Sequence, residues 1–435
     1  MTDSARITRA AGRQVWDSRG RPTVEVEIHL AGGASGRGIA PAGASRGTRE
    51  AVELRDGGER FGGHGVDRAV AMVNDRIAPR LIGRDARDPA AVDALLIADD
   101  GTDTKAVLGG NTTTAVSLAA WQAAAAAAGQ PLWAYLAAGS DVTLPMPQVQ
   151  IFGGGAHADR RVDIQDFLVI PVGATSVREA LEMAERVYRA AGEVMKSRNR
   201  LAGTADEGGW WPAFDSNEQA LETLTYSIER AGLRAGPDVA IALDVAASEF
   251  GHGGSYRLAL EGQVLDRAEF RERLLGWIAR FPIVSIEDPC SEDDLAGWHG
   301  FFAATGGRVQ VIGDDLLVTR ASLVREAARD RLCNSVLIKV NQRGTVSESL
   351  DAMNAARDVG FSTVVSARSG ETEDVAIAHL ATGWSAGQIK VGSFARSERM
   401  AKWNELLRIE STLGSRARFA GASVLAGLPR GVSER

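Results

Sequence analysis

The chain has 435 residues, more than one ordinary core holds, and its 45% hydrophobic and 24% charged content is the balance of a globular protein. A net charge of −7 excludes the uniformly basic face of a general nucleic-acid binder. No run approaches the roughly 20 apolar residues that span a bilayer, and the N-terminal stretch MTDSARITRA has no signal-peptide core, so cytoplasm is the expected location.

Residues 1–135 read as a smaller α+β unit. TVEVEIHL alternates as a half-buried strand does, after the turn-like DSRGRP. GIAPAGASRGTRE is a loop without apolar period. DRAVAMVNDRIAPRLI and the alanine-rich NTTTAVSLAAWQAAAAAAG read as helices, the second one buried. The only cysteines, Cys290 and Cys333, lie in no pair or metal spacing, which argues against a disulfide framework or a zinc site. From residue 136 to 435 short apolar runs alternate with amphipathic stretches: DFLVIPV, DVAIALDVAA, FPIVSIEDP, VQVIGDD, SVLIKVNQ, STVVSARSG and GQIKVGS. Nearly continuous apolar strands between helices predict a parallel sheet covered on its faces. Seven such units favour a closed (β/α) barrel over an open sheet.

The ends of these runs carry unusual chemistry. Asp244, then Glu287 with Asp288, then Asp314 with Asp315 close three successive strands, and Lys339, Arg368 and Lys390 close the next ones. In a barrel these ends share one mouth. A single aspartate there would be explained as the cap of the following helix. Three in succession repel one another unless a cation joins them, and an all-oxygen set with no His or Cys suits Mg2+. A lysine beside such a cation and a second lysine is expected to lose charge readily and to act as a base, with Lys339 and Lys390 facing each other across the metal. This combination points to removal of a proton α to a metal-bound carboxylate. The Gly-rich loop TADEGGWWP offers Asp206 and Glu207 as a general acid, and GGGAHADRRVDIQDFLVI adds His157, Gln165 and Asp166.

Eleven ordered segments along the whole chain resemble enolase, among them DSRGRPTVEVE, GASRGTREAVELRDG, DEGGWWP, SIEDP, LIKVNQRGT, SARSGETEDVAIAHLA and RSERMAKWNELLRIE. The resemblance implies an enolase-type modified (β/α)8 barrel with a smaller N-terminal α+β domain, in a homodimer. It implies that Asp244, Glu287 and Asp314 bind a first Mg2+ and that Ser45, on a closing loop, binds a second. By the same resemblance Lys339 takes the C2 proton of 2-phosphoglycerate and Glu207 assists loss of the C3 hydroxyl. Arg368 and Ser369 match the phosphate pocket, Lys390 the substrate-carboxylate contact and His157 a mobile-loop histidine. Gln165 and Asp166 fall where enolases have the Gln-Glu of "QEF".

The departures cluster. Ala367 stands where enolases have His, and Asp166 where they have Glu. Arg46, Arg160 and Arg161 occupy covering loops that usually hold small polar residues, and Arg343 replaces an apolar one. The shorter side chains are expected to enlarge the space at C3. The arginines are expected to bring positive charge for a second anionic substrate. That set resembles the carboxyphosphonoenolpyruvate synthases of phosphinothricin-type antibiotic pathways. The resemblance implies carbon–phosphorus bond formation at C3, with a cytidine nucleotide-phosphonate as second substrate and Trp210 and Trp211 available to stack on its base. The alternatives are an ordinary phosphopyruvate hydratase and a catalytically dead relative kept for binding. Retention of the three acids and two lysines argues against the latter.

Overall fold

A computed structural model describes residues 4–425. Three antiparallel strands open the chain: β1 (Ile7–Trp16), β2 (Pro22–Leu30) and β3 (Ser35–Ile39), in the order β1-β2-β3. The alanine-rich segment is the helix Gly110–Ala127, buried along most of its length against this sheet. Small residues on both partners permit the contact: a Cβ on Gly36 would lie 2.2 Å from the Ala123 nitrogen and 2.3 Å from the Ala119 oxygen. The helical reading around DRAVAMVNDRIAPRLI holds with one modification. A π-helical turn, Met72–Ile77, sits between the short helices Asp67–Ala71 and Ala78–Leu81. Pro79 has no N–H to return to the carbonyl four residues back, which accounts for the broken ladder just ahead of it.

Eight strands close the barrel: β4 (Met146–Gly153), β5 (Asp166–Ile170), β8 (Ala240–Asp244), β12 (Ile283–Glu287), β13 (Gln310–Gly313), β14 (Ser335–Ile338), β15 (Ser362–Ser366) and β16 (Gly387–Gly392), with β16 pairing back onto β4. Outside this ring, β6 (Leu201–Thr204) and β7 (Trp210–Pro212) extend the sheet beside β4, while β9 (Gly251–His252), β10 (Ser255–Leu258) and β11 (Gln263–Asp266) form a small separate sheet. The sequence had shown seven of the eight barrel strands. MPQVQIFG supplies the other one, its two glutamines masking the apolar signature of a buried strand. The expectation of an all-parallel sheet also fails in one place: β5 runs antiparallel to both β4 and β8. Fully buried strands read alike in either direction, so hydrophobicity could not show this.

The glutamines of β4 belong to a polar layer inside the barrel. Gln148 donates to Gln388 at 2.9 Å, and Gln310 donates to Ser285 at 3.0 Å. These groups are almost wholly buried, and their mutual hydrogen bonds remove the cost of burying them. The helix Leu132–Ala137 crosses the expected boundary near residue 135, with Leu132 and Ala137 packed into the barrel core. No helix among the described residues is long and apolar enough to cross a membrane.

Candidate active site

The barrel delivers its charged residues to one end. Asp244 and Glu287 are the last residues of β8 and β12 and pair in register; Asp314 and Lys339 directly follow β13 and β14. Lys390 lies on β16, in register with Ser366 at the end of β15, and Ala367, Arg368 and Ser369 follow. The reversed β5 explains why Gln165, just before the strand, and Asp166, its first residue, share the site: Asp166 pairs in register with Asp244. An antiparallel strand presents its beginning where its neighbours present their ends.

Two ion-pair groups fill the mouth. Lys390 Nζ lies 2.7 Å from Asp244 Oδ2, 2.9 Å from Glu287 Oε2 and 3.5 Å from Asp166 Oδ2. Lys339 Nζ binds Asp314 Oδ2, and Gln342 donates to Asp314 Oδ1 at 2.8 Å. The expected arrangement, two lysines facing each other with their charge disfavoured, is therefore corrected for the metal-free protein. Burial opposes the charge of Lys339, but Asp314 outweighs it and raises the pKa; burial is likewise overcome at Lys390 by Asp244 and Glu287. Burial, then Asp244, pushes Glu287 well above the usual carboxyl range, with Lys390 opposing.

Magnesium fits this donor set. Gln165 Oε1, Asp166 Oδ2 and Glu287 Oε1 are buried oxygens without hydrogen-bond partners, beside Asp244 and Asp314. Unsatisfied buried oxygens are costly, and a hard divalent cation is the ligand that such a set of oxygens accommodates best. Asp244, Glu287 and Asp314 would hold it.

The loop of residues 40–50 reaches from the N-terminal domain over the mouth. Arg368 donates to Glu50 Oε2 at 3.0 Å, to Asn341 Oδ1 at 3.1 Å and to the Ser45 carbonyl at 3.1 Å, so the guanidinium fastens the two domains together. Burial works against the Arg368 charge, and Glu50 more than restores it. His157 spans the cavity, with Nδ1 2.8 Å from Asp166 Oδ1 and Nε2 2.9 Å from Ser369 Oγ. Glu207 lies 3.7 Å from the same imidazole. Burial alone would lower the His157 pKa, but Asp166 and Glu207 overcome it and raise it to about 9. Ser45, His157, Gln165, Glu207, Asp244, Lys339, Ala367, Arg368, Ser369 and Lys390 line one cavity of about 20 Å3. That is room for about one water.

Two of the covering arginines have acidic partners. Arg160 is exposed and pairs with Glu249 at 2.7 Å, and Arg46 lies 3.6 Å from Glu53, so both charges meet local acids. Arg161 is exposed on the same loop as Arg160. Arg343 binds Glu348 at 2.8 Å beside the buried Lys105, outside the mouth. Trp210 is a packing residue: its ring stacks on Tyr188 at 4.5 Å and its Nε1 donates to the Tyr188 carbonyl, which removes it as a platform for a base. Trp211 is half-buried, with an indole nitrogen that has no partner.

Sequence reasoning missed Glu50, Asn341, Gln342 and Gln150, which orient Arg368, Asp314 and Asp166. Asn341 and Gln342 follow Lys339 within LIKVNQRGT and Gln150 lies on β4, but neutral amides and one more loop acid carry no signal of their partners until the fold brings them together. Two family models match the chain: the enolase N-terminal domain over residues 7–136 and the enolase C-terminal TIM barrel domain over residues 141–427. With both domains matched in order and the strand ends built as described, the chain belongs to the enolase family.

Proposed function

We propose that the protein removes the C2 proton from a phosphorylated three-carbon acid of the 2-phosphoglycerate type, and that its C3 side serves the transfer reaction of a carboxyphosphonoenolpyruvate synthase. Enolase-family proteins typically use Mg2+, which when bound stabilises charge developing on the substrate carboxylate. Lys339 would take the proton as the neutral amine, a form available when Asp314 gives its charge to the cation instead of to the ammonium. Lys390 accompanies the substrate carboxylate, and Arg368 with Ser369 takes the phosphate. The observation that carries the finer reading is Ala367. It is 5% exposed in the wall between Ser366 and Arg368 and presents a methyl group where every neighbouring wall residue is polar or charged. An uncharged methyl beside Ser369 and Lys390 leaves the C3 end without the imidazole that enolases place there. A nucleotide-borne phosphonate as second substrate, two Mg2+ ions and a homodimer complete this proposal.

A second reading, ordinary phosphopyruvate hydratase, is favoured by the small cavity and by Glu207 standing 3.7 Å from His157 on its wall, an acid suited to a departing hydroxyl. One experiment separates the two. Purified protein is given 2-phosphoglycerate and Mg2+, with and without a cytidine nucleotide-phosphonate, and followed by enol absorbance and phosphorus NMR. A new phosphonate product that requires the nucleotide supports the synthase. Turnover at about ten per second or faster without it, the range of ordinary enzymes, establishes the hydratase.

A further inference from the structure

We infer that Arg399 is a positioning residue that sets the phosphate subsite and the acid loop together. The inference rests on the proposed roles of Arg368, Ser369 and Glu207. Arg399 lies in the first turn of the helix Ser397–Leu413 and is fully buried. Its Nη1 donates to the Arg368 carbonyl at 2.7 Å and to the Val391 carbonyl at 2.9 Å, and its Nη2 donates to the Ser369 carbonyl at 2.5 Å. Nη1 also lies 3.9 Å from Glu207 Oε1.

One guanidinium thus touches the segment after β15, the β16 segment following Lys390, and the loop that carries Glu207. The backbone is built to let these segments meet. Ser393 N donates to the Glu207 carbonyl at 2.8 Å. At Gly392, with φ +115°, a Cβ would lie 2.6 Å from the Glu207 carbonyl oxygen and 3.0 Å from Arg399 Cδ. A planar fork can reach three carbonyls on two segments, whereas an ammonium offers a single point. Nε has no hydrogen bond and lies 3.4 Å from Glu398 Oε1, so Glu398 joins Glu207 as a carboxylate steadying the fork.

The test compares Arg399→Lys, Glu398→Gln and Leu406→Ala. Leu406 is buried on the same helix in the barrel core and serves as the purely structural control. Each protein is assayed with 2-phosphoglycerate and Mg2+ in D2O for deuterium entry at C2, with calorimetric binding of 2-phosphoglycerate and a thermal melt alongside. Arg399→Lys is expected to raise KM and Kd about tenfold or more, because displacement of a binding group by a fraction of an ångström is costly. The maximal exchange rate at Lys339 should stay within about threefold of wild type, since uniform binding is lost and not the base. Leu406→Ala is expected to lower the melting temperature and leave KM unchanged. An Arg399→Lys protein with wild-type KM and Kd, or a Leu406→Ala protein with an equal KM rise, overturns the assignment. Should Arg399→Lys not fold, Glu398→Gln decides: a severalfold rise in Kd supports the assignment and an unchanged Kd overturns it. Wild-type protein that binds 2-phosphoglycerate but exchanges no deuterium refutes the proposed proton transfer, while Arg399 is still judged on Kd.

Discussion

Glu287 and Asp288 are neighbours in the chain, both buried, and are used in opposite ways. Glu287 turns into the mouth with Asp244 and Asp166, where Lys390 is the shared cation and Glu287 Oε1 and Asp166 Oδ2 have no hydrogen bond. Asp288 turns away, at φ +42°, and both its oxygens accept main-chain N–H groups, from Asp314 at 2.9 Å and Asp315 at 2.8 Å. Asp288, Asp314 and Asp315 also bring ligand atoms close together, as do His157, Asp166 and Glu207. What separates a site from a scaffold is therefore the partner of each lone pair, rather than the density of acids. Asp288 is satisfied by backbone and fixes the turn that presents Asp314. The Asp166–Asp244–Glu287 group keeps oxygens free for a cation.

The largest effect expected from this contrast is at the base held by Asp314. Lys339→Ala should slow deuterium entry at C2 of 2-phosphoglycerate by about a thousandfold, the usual worth of a positioned acid–base group. A fall of less than about tenfold would remove Lys339 from the mechanism. Next in size is the C3 wall. Ala367→His combined with Asp166→Glu should raise dehydration of 2-phosphoglycerate by about a hundredfold, the scale set by misplacing a catalytic group by an ångström. If enol absorbance shows no gain, the reading built on Ala367 is wrong.

The adjacent pair itself gives a smaller, more direct comparison. Glu287→Gln should abolish the rise in melting temperature on adding MgCl2 without lowering the metal-free melting point, because Glu287 Oε1 has no hydrogen bond to lose whereas both Asp288 oxygens do. Asp288→Asn should do the reverse: a lower melting point in EDTA, at a cost of about 1–3 kcal/mol for an imperfectly met buried group, with the Mg2+ response retained. Equal responses from the two variants would erase the distinction drawn between them.

Much of this site was legible before the fold was known. Strand ends are short, apolar and strictly placed, so IALD, SIED and VLIK announce where Asp244, Glu287 and Lys339 emerge. The segments matched to enolase contained the ionic residues that the topology brings together. The direction of β5 was not legible, because a strand buried on both faces has no preferred sense in its hydrophobicity. The double duty of ED in SIED was also hidden, since the two acids differ only in the backbone turn after Glu287. The partners of the covering arginines were equally hidden: Glu249 and Glu53 are distant or ordinary in sequence yet take up the charges of Arg160 and Arg46. Arg399 lies in RSERMAKWNELLRIE, a segment that resembles enolase as a whole, and only the fold shows which of its charged residues are buried.

The smallest expected effect concerns His157, which joins the unsatisfied acids to the phosphate pocket. In metal-free protein its pKa is raised from 6.5 to about 9, with burial opposing and Asp166 and Glu207 prevailing. The folded state then holds the proton more tightly than the unfolded chain, so this contribution to stability is complete below about pH 6.5 and is lost as the pH rises towards 9. Asp166 works at the other edge. Burial opposes its ionisation, yet His157 and Lys390 hold it below the ordinary carboxylate value of 3.8. Its contribution is present above about pH 4 and is lost on further acidification. The ion pair is thus at full strength between about pH 4 and 6.5. Wild-type protein in EDTA should show a declining melting temperature from pH 6.5 to 9, and His157→Gln should flatten that decline while leaving the acid limb in place. A wild-type melting temperature that does not change over this interval would mean that the imidazole is already neutral. The contact between His157 and Asp166 would then be a neutral hydrogen bond, and the two halves of the mouth would not be electrostatically linked through it.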